Sequence, residues 1–423
     1  MKSRIRPIVL TGIIAASVLT SPASAAHSKA PFVVSRQSAS AGGMEVNRSA
    51  RTSDVSGNGR YVVFESKADN LSPMADDVRN IYRYDTRLEK VELVSRNGRR
   101  AADGKSQDAA ISGSGRYVAF RSNARNLGPT NPNAFLNVYV YDAKRNRTEL
   151  VSRQSKADGG RPANGWSEVP DISANGRIVS FTTTASNLGG PIDARKNVYV
   201  YDREQRRAEL VSRQSSKDGG LGGNHAALSA SRLSDSGRFV AFTSKATNLG
   251  GPAKGLFNGF VYDRRRQRTL PVAPDAGTRD SYAHVDAISG DGRRVAYYVN
   301  SGRDGSGVFL ENVGGGNRDR LGRGLKDAEL SRSGRFATAV DGFRRQIQGR
   351  RIAAERVVRV DTRNGDRRIV SHPIIRPDGD DRASDAWDPA ISGDGRAISF
   401  TSGLSFVYEA HGVPDLVFLR RYR

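Results

Sequence analysis

Short runs of β-branched and aromatic residues, separated by polar turns, recur along nearly the whole chain. One copy occupies residues 171–214 and reads DISANGRIVSFTTTASNLGGPIDARKNVYVYDREQRRAELVSRQ. The Asn175-Gly176 pair between its first two apolar runs is a hairpin-turn signal. Four short strands connected in this way are the unit of a propeller blade, so the pattern predicts repeated four-stranded sheets.

The turn Ser-x-x-Gly-Arg marks the start of each copy, and a Val, Ile or Leu always precedes its serine. It occurs at Ser56–Arg60, Ser112–Arg116, Ser173–Arg177, Ser234–Arg238, Ser289–Arg293, Ser331–Arg335 and Ser392–Arg396. A second strand follows each turn, a third ends in Tyr-Asp in four copies, and a fourth ends at Arg96, Arg153 and Arg213. Copy five has Leu310-Glu311 in place of Tyr-Asp, and copy six is shorter and carries the charged run Arg344–Arg356. The fold class predicted is all-β, a seven-bladed β-propeller.

The two ends of the chain predict how the ring closes. Copy seven has strands near Pro389–Ile391, Ala397–Phe400 and Leu416–Leu419, and it lacks a fourth. Phe32–Gln37, FVVSRQ, repeats the sequence of the other fourth strands. We therefore expect this N-terminal strand to complete the last blade, because an open blade would leave an unpaired edge.

These motifs resemble a known family of repeats. Ser-(Gly/Ala)-(Asp/Asn)-Gly-Arg, then Val-Ala-Phe and Val-Tyr-Val-Tyr-Asp, are similar to the TolB-like, WD-like β-propeller repeats of bacterial exported proteins. The resemblance implies a binding or scaffold role and no single activity. This chain lacks the usual proline after the turn serine, and it has mostly lost the acidic loop before strand three. If that loop binds a metal ion in relatives, we do not expect it to do so in this chain.

Residues 1–25 have the pattern of a secretory signal. Lys2, Arg4 and Arg6 precede the apolar stretch Ile8–Leu19, and Ala23-Ser24-Ala25 fits a cleavage site. The sequence thus predicts a secreted or extracytoplasmic bacterial protein, cleaved near Ala25, with residues 26–423 as a single propeller domain. No later stretch is long and apolar enough for a membrane helix. The absence of cysteine excludes disulfides and thiol chemistry.

The formal net charge is +23, and the short turns carry most of it. In a four-stranded blade, the turns from strand one to two and from three to four lie on one face, which we call the short-turn face. One interpretation is a docking surface for an anionic envelope polymer or lipid. Its residues would be Arg145, Arg147, Arg206, Arg207, Arg264, Arg265, Arg266 and Arg268. The other interpretation is that these arginines only keep the turns solvated. Nucleic acid is disfavoured as a partner because no aromatics alternate with the arginines.

The opposite, long-loop face holds both tryptophans, each just before a first strand. Loops on a rigid scaffold commonly carry binding sites. The candidate ligand-binding residues for a protein or glycan are Trp166, Glu168, Asp171, His225, Arg232, His284, Asp286, Trp387 and Asp388, with Asp327, Glu329 and Asp385 nearby. The alternative interpretation is that the tryptophans pack between blades and the acids cap loops.

No catalytic residue is predicted, and a non-enzymatic binding module is the leading hypothesis. Gly-x-Ser-x-Gly is absent, which excludes an appended hydrolase domain of that type. Paired carboxylates at the mouth keep open the alternative of a carbohydrate-active lyase or hydrolase that acts on an acidic polysaccharide. His225 and His284 are single histidines in neighbouring copies and do not form a metal motif. We expect a monomer with no cofactor and no metal ion.

Overall fold

The computed structural model describes residues 31–74, 77–128, 135–190, 195–228, 231–250, 257–272, 282–300, 306–316, 318–347, 350–371, 385–403 and 415–422. These residues form seven antiparallel four-stranded sheets, with each first strand at the central axis and each fourth strand at the rim. The predicted all-β, seven-bladed propeller is therefore confirmed. The predicted signal peptide lies outside the described residues.

The strands have the following bounds, blade by blade. Blades 1 to 4 contain Ala50–Val55, Tyr61–Ser66, Asn80–Asp85 and Lys90–Leu93; Ser106–Ile111, Tyr117–Ser122, Asn137–Asp142 and Arg147–Leu150; Ser167–Ile172, Ile178–Thr183, Asn197–Asp202 and Arg207–Leu210; Arg232–Leu233, Phe239–Ser244, Asn258–Asp263 and Arg268–Val272. Blades 5 to 7 contain Tyr282–Ile288, Arg294–Asn300, Gly307–Asn312 and Arg318–Arg323; Leu325–Leu330, Phe336–Ile347, Arg350–Asp361 and Arg367–Ile369; Ala386–Ile391, Ala397–Ser402, Leu416–Arg421 and Phe32–Val33.

The Ser-x-x-Gly-Arg turn has the same internal geometry in every blade. Its serine hydroxyl accepts a hydrogen bond from the backbone N–H five residues later, at 2.9–3.1 Å. Its glycine has φ between 67° and 79°, in the left-handed region that other residues rarely adopt. The motif is therefore a hairpin turn closed by its own serine.

The turn glycine also lets neighbouring blades approach closely. The side chain that begins strand two packs flat on the glycine of the next turn, so Tyr61 covers Gly115 and Tyr117 covers Gly176. A Cβ built on Gly176 would lie 2.1 Å from Cδ2 of Tyr117. No side chain fits in that space, so the repeat requires glycine for packing as well as for conformation.

In blades 1 to 4 and 6 the arginine of the turn pairs with the aspartate that ends strand three, and in blades 1 to 4 the ion pair is forked. In blade 3, Arg177 Nη2 lies 2.7 Å and Nε 3.0 Å from Asp202 Oδ2. Partial burial favours the protonated acid, but hydrogen bonds from Arg177 and two backbone N–H groups lower the pKa of Asp202 below its usual value. The other pairs are Arg60–Asp85, Arg116–Asp142, Arg238–Asp263 and Arg335–Asp361.

The seven turns are also bonded to one another around the axis. A circle of backbone N–H···O=C bonds, 2.7–3.1 Å long, links Asn58 to Gly113, Gly113 to Ala174, Ala174 to Asp235, Asp235 to Gly290, Asp291 to Arg332, Arg332 to Gly393 and Gly393 to Gly57. Small side chains after most turn serines permit this approach. The two large ones, Asp235 and Arg332, pair with each other at 2.5 Å. We call this feature the turn ring.

The apolar core lies between the blades. Val179 and Phe181 of blade 3, for example, belong to one buried cluster with Ala119 and Val140 of blade 2. Each sheet thus buries both faces against its neighbours, as expected for radially packed sheets. This explains why the second and third strands are continuous apolar runs rather than alternating ones.

The N-terminal strand closes the ring, as predicted. Phe32 and Val33 pair with Leu419 and Phe418 of blade 7. The Val34 N–H then donates to the Val417 carbonyl at 2.9 Å, and the Val417 N–H donates to the Ser35 hydroxyl at 3.0 Å. Residues 33–35 are buried. The strand ends sooner than expected, since residues 36 and 37 leave the sheet.

Three loops that follow fourth strands run back along the rim and cover the outer edge of the next blade. These edge loops are residues 36–45, 153–162 and 213–222, and they contain the 3₁₀ turns Ala39–Ala41, Lys156–Asp158 and Ser216–Asp218. One serine hydroxyl in each accepts an outer-strand N–H at 3.1 Å: Ser38 from Val91, Ser155 from Ala208, and Ser215 from Thr269. In blade 2 the small hairpin Arg96–Asn97 and Arg100–Ala101 takes this place. These covers reduce the exposure of strand edges to pairing with other chains.

Two sequence expectations about strand bounds were wrong. The outer strands end at Leu93, Leu150 and Leu210 and not at the arginines three residues later, because those Val-Ser-Arg segments begin the connections to the next blade. Blade 6 is not shortened: Phe336–Ile347 and Arg350–Asp361 pair along their whole length and extend the sheet on the long-loop side, and residues 344–347 and 350–356 of the charged run lie on these two strands. None of the described segments contains a helix with the length and apolarity needed to cross a membrane.

Candidate functional site

The first strands of the blades surround a central cavity of about 570 Å³. The residue two positions before each turn serine forms a row around this cavity. In blade order the row reads Asp54, Ala110, Asp171, Arg232, Ala287, Glu329 and Ala390. Four charged side chains from four different blades are therefore held at one level of the channel, and all four line the cavity.

Asp54 and Asp171 connect neighbouring blades at this level. Asp54 accepts the Val55 N–H at 2.7 Å and, from blade 2, the Ile111 N–H at 2.9 Å. Asp171 accepts the Ile172 N–H and, from blade 4, the Leu233 N–H, both at 2.7 Å. Both carboxyl groups thus have a structural role in the wall, and both line the channel.

Arg232 is the only arginine in this row. Its Nη2 lies 3.1 Å from Glu329 Oε1, and its Nε donates to the Asp286 carbonyl at 2.8 Å. The guanidinium thus pairs directly with one carboxylate of the row, Glu329, and the charges of Asp171, Asp286 and Asp54 also act on it. Burial, with a smaller effect of Asp171 and Glu329, raises the pKa of Asp54 to about 8. Burial also raises the pKa of Glu329 to about 7, although Arg232 partly offsets it.

A second row of carboxylates lies closer to the long-loop face. Asp108, Asp327 and Asp388, each four positions before a turn serine, have φ of +52°, +52° and +48° at β-bulges of the first strands. A bulge re-aims its side chain, and all three line the cavity. Burial raises the pKa of Asp388 to about 6, opposed by Arg51.

A histidine–aspartate pair lies in the wall of blade 5. His284 Nε2 is 2.9 Å from Asp286 Oδ1, and the imidazole lies beside the rings of Tyr282 and Tyr298, with centroids 6.2 and 5.2 Å away. Burial opposes protonation, but the hydrogen bond to Asp286 and the charge of Asp327 raise the pKa of His284 above its usual value. This pair therefore favours a protonated imidazole at the channel wall.

Further charges near the mouth are held in ion pairs. Arg121 bridges Asp108, at 2.9 Å, and Glu168, at 3.2 Å, and Lys196 also contacts Glu168. In blade 1, Arg79 Nη1 lies 3.1 Å from Glu65 Oε1. Glu168 is therefore neutralised by two cations in the wall.

The lining of the cavity is acidic although the protein as a whole is basic. Its carboxylates are Asp54, Glu65, Asp108, Asp171, Asp235, Asp286, Asp327, Glu329 and Asp388, and its cationic side chains are Arg51, Arg232, Arg332 and, when protonated, His284. Acidic side chains thus outnumber basic ones in the lining, whereas the protein as a whole has a net charge of +23.

The structure brings together five of the nine candidate ligand-binding residues. Asp171, Arg232, His284, Asp286 and Asp388 line the cavity. The other four, Trp166, Glu168, His225 and Trp387, do not. Trp166 is 51% exposed and lies beside Phe135, His225 is exposed, and Trp387 is half-buried in the first strand of blade 7.

Sequence reasoning missed Asp54 and Asp108 as site residues. The candidates came from the segments before the first strands, whereas many of the charged lining residues occupy two fixed positions of the repeat. Aligning the seven copies on the turn serine places Asp54, Asp171 and Glu329 in one column and Asp108, Asp327 and Asp388 in another. Such an alignment of the copies would have identified both rows of charged residues from the sequence.

On the short-turn face, seven of the eight candidate arginines for an anionic surface are exposed: Arg145, Arg147, Arg206, Arg207, Arg265, Arg266 and Arg268. Arg264 is half-buried and has a structural role. It lies 3.0 and 2.9 Å from Glu209 Oε2 through Nε and Nη2, and it donates to the Gly237 carbonyl at 2.9 Å.

Within the part of the chain that the structure describes, no three histidine or carboxylate side chains are arranged to hold a metal ion. The expectation that the protein uses no metal and no cofactor remains a prediction.

The sequence matches no family model and no curated protein. Among solved structures it is similar to an oligogalacturonate lyase in complex with manganese, at 11% identity and a TM-score of 0.54 over 93% of this chain and 97% of that one. It is also similar to the β-propeller domain of the trilobed protease from Pyrococcus furiosus, at 9% identity and a TM-score of 0.52 over 88% and 96%. A putative TolB from Agrobacterium tumefaciens matches at 14% identity and a TM-score of 0.43 over 79% and 94%.

These likenesses concern the fold. The propeller implied by the resemblance to TolB-like repeats is confirmed by the seven four-stranded sheets, while sequence identities this low say nothing about activity. The Pyrococcus propeller is described as having an open velcro topology, whereas the ring in this chain is closed by residues 32–35.

Proposed function

We propose that this protein is an exported, non-enzymatic binding module that takes a positively charged segment of a partner protein into its central channel from the long-loop face. The main observation in support is that carboxylates outnumber cationic side chains in the channel lining of a strongly basic protein. The signal-like N-terminal segment supports export. Complementary charge directs a ligand to such a site and discriminates against ligands of the wrong sign.

The raised pKa values at Asp54, Glu329 and Asp388 give the same indication. They mean that ionising these groups without a ligand is unfavourable, because they are buried and share few counter-ions. A cation in the channel would relieve that cost. Binding of a ligand that carries ammonium or guanidinium groups should therefore be coupled to the release of protons from these carboxyls.

The alternative, an enzyme that acts on an acidic polysaccharide, receives less support from this geometry. A polyuronate chain in the channel would bring its carboxylates next to Asp327, Asp388 and their neighbours, which is unfavourable in a site of low dielectric constant. The similarity to oligogalacturonate lyase rests on the fold alone. Incubation with oligogalacturonate, with analysis for unsaturated products, tests the alternative directly, and product formation would contradict the proposal.

The decisive variant removes charge at the mouth and keeps the backbone. In Asp327→Asn/Asp388→Asn the new residues tolerate positive φ, so the bulges should persist. Titrated calorimetrically with tri-lysine, this variant should bind at least about tenfold more weakly than the parent, since two charge-assisted contacts are lost.

The matched control is Asp218→Asn, which removes an exposed carboxylate in an edge loop. It should bind tri-lysine as the parent does. Equal weakening by the control, or equal binding of tri-glutamate by the parent, would contradict a ligand site in the channel.

Binding should also depend on pH in a defined direction. Asp388, Glu329 and Asp54 lose their protons with pKa values of about 6, 7 and 8. Each deprotonation adds negative charge to the channel, so the affinity for tri-lysine should rise from about pH 5.5 to about pH 8.5. The tri-lysine used here is acetylated at its N-terminus and amidated at its C-terminus, so that only its lysine side chains carry charge, and these stay protonated throughout this range. An affinity that is flat or falls over this range would contradict the assignment of these carboxylates.

A further inference from the structure

The short-turn face contains a second cavity, of about 520 Å³, between blades 6 and 7. Four arginines and one carboxylate line it: Arg332, Arg335, Arg359, Arg396 and Asp394. It lies on the face opposite the mouth of the central channel and away from the exposed arginines of blades 2 to 4. Its composition is the reverse of that of the channel.

The cause of this excess lies in how blade 7 departs from the repeat. In blades 1 to 4 the turn arginine is neutralised by the aspartate that ends strand three, as Arg60 is by Asp85 opposite Tyr61. In blade 7 the residue opposite Ala397 is Arg421. Arg396 therefore has no internal carboxylate, and it forms no ion pair within the described residues.

Arg359 is held rigidly in this cavity by contacts that leave part of its guanidinium available. Its guanidinium carbon lies 3.7 Å from the ring centroid of Phe336 and 4.7 Å from that of Tyr422, and its Nε donates to the Gly395 carbonyl at 2.9 Å. Burial first, and then the nearby charges of Arg368 and Arg335, lower the pKa of Arg359 below its usual value. A stacked, desolvated guanidinium in positive surroundings is a strong donor to an anion.

The other two arginines have carboxylate partners. Arg335 Nη2 lies 3.2 Å from Asp361, and Arg332 Nε lies 2.5 Å from Asp235. Asp394 is exposed and accepts hydrogen bonds from the Ser392 hydroxyl and the Arg396 N–H within its own turn. The local excess of positive charge thus falls on Arg359 and Arg396.

We propose that this cavity is a binding site for a phosphate group, held by Arg359 and Arg396 with Arg335 at its edge. Planar guanidinium groups offer the paired donors that phosphate oxygens accept, and a doubly charged tetrahedral anion suits converging arginines. The phosphate belongs either to a soluble phosphomonoester or to a lipid headgroup. The site is independent of the ligand proposed for the channel.

The test uses the variant Arg396→Gln, because this side chain is exposed and its loss should leave the melting temperature unchanged. Glycerol 3-phosphate is titrated calorimetrically into the protein in phosphate-free buffer. We expect binding by the parent, weakened at least about tenfold by Arg396→Gln, as expected for the loss of one bidentate charge-assisted contact.

The matched control, Arg265→Gln/Arg266→Gln, removes more charge from the same face but outside the cavity. It should bind glycerol 3-phosphate within about twofold of the parent. Equal weakening by the control would overturn the site in favour of diffuse attraction to the face. Absence of binding by the parent at tens of millimolar ligand would also overturn it.

A sedimentation experiment with lipid vesicles identifies the source of the phosphate. Phosphatidylcholine vesicles with and without phosphatidic acid are sedimented with the parent and with Arg396→Gln. Binding that requires phosphatidic acid and Arg396 assigns the site to a lipid headgroup, while glycerol 3-phosphate binding without vesicle binding assigns it to a soluble ester. Unchanged tri-lysine binding by Arg396→Gln would show that the two sites are separate.

Discussion

Replacing Val34 by aspartate should leave the protein largely insoluble or unfolded. Val34 is fully buried, and its N–H bonds to Val417 in the closing strand of blade 7. An unpaired carboxylate there either remains charged in an apolar site or disrupts the pairing of residues 32–35. Either outcome costs about 4 kcal/mol or more, a large part of the stability of a typical domain. Soluble yield and denaturant unfolding measure the effect.

The matched control introduces the same side chain nearby. Ser40→Asp lies in the exposed 3₁₀ turn of the edge loop that follows. It should change the free energy of unfolding by about 0.5 kcal/mol or less. A soluble Val34→Asp with parental stability would mean that the ring does not depend on its N-terminal strand. Deletion of residues 32–37 should be at least as damaging as Val34→Asp.

The second large effect is expected at a turn glycine. In Gly176→Ala the new Cβ would stand 2.1 Å from Cδ2 of Tyr117, while the backbone keeps φ of +76°. The aromatic ring sits between the guanidinium groups of Arg116 and Arg203, at 4.7 and 4.6 Å, so it has little room to move. We expect a loss of about 3 kcal/mol or more in the free energy of unfolding, from overpacking and strain together.

Gly189 offers a control that separates these two causes. Its φ is +80°, and a Cβ there meets no atom within 4 Å. Gly189→Ala should therefore cost only the strain, about 1 kcal/mol. The double variant Gly176→Ala/Tyr117→Ala should lose clearly less stability than the sum of the two single losses, because the clash is removed. Equal effects at the two glycines, or additive losses in the double variant, would mean that packing between blades does not explain the motif.

The sequence was sufficient for the parts of the fold that repeat. Each copy needs a glycine for a positive φ and a serine to close the turn, and in blades 1 to 4 and 6 the arginine pairs with Asp85 or its equivalents, so the same local requirements select the same residues. Closure of the ring was equally predictable, because Phe32–Gln37 repeats the sequence of the fourth strands in other blades, and the last blade lacks a fourth strand of its own. Local constraints of this kind can be read without knowing any distance.

The channel was less predictable because its residues vary from copy to copy. One column holds Asp, Ala, Arg and Glu, and the role of each depends on its neighbours across the axis. Arg232 and Glu329, for instance, come from blades 4 and 6 and are far apart in sequence. The edge loops were missed for a related reason, since Ser155 bonds to Ala208 of the next blade and not within its own copy. Such contacts require knowledge of which copies are adjacent and how far each loop reaches.

The antiparallel pairing of residues 32–33 with the last strand has a practical consequence. Phe32 lies opposite Leu419 and Ala397 lies opposite Arg421, so the chain enters its first strand and leaves its last one on the short-turn side. An affinity handle or surface tether at either end would therefore orient the molecule with its acidic mouth toward solution. Immobilised protein should capture cationic peptides freely, whereas its access to phosphate-bearing vesicles would be sterically hindered by the support.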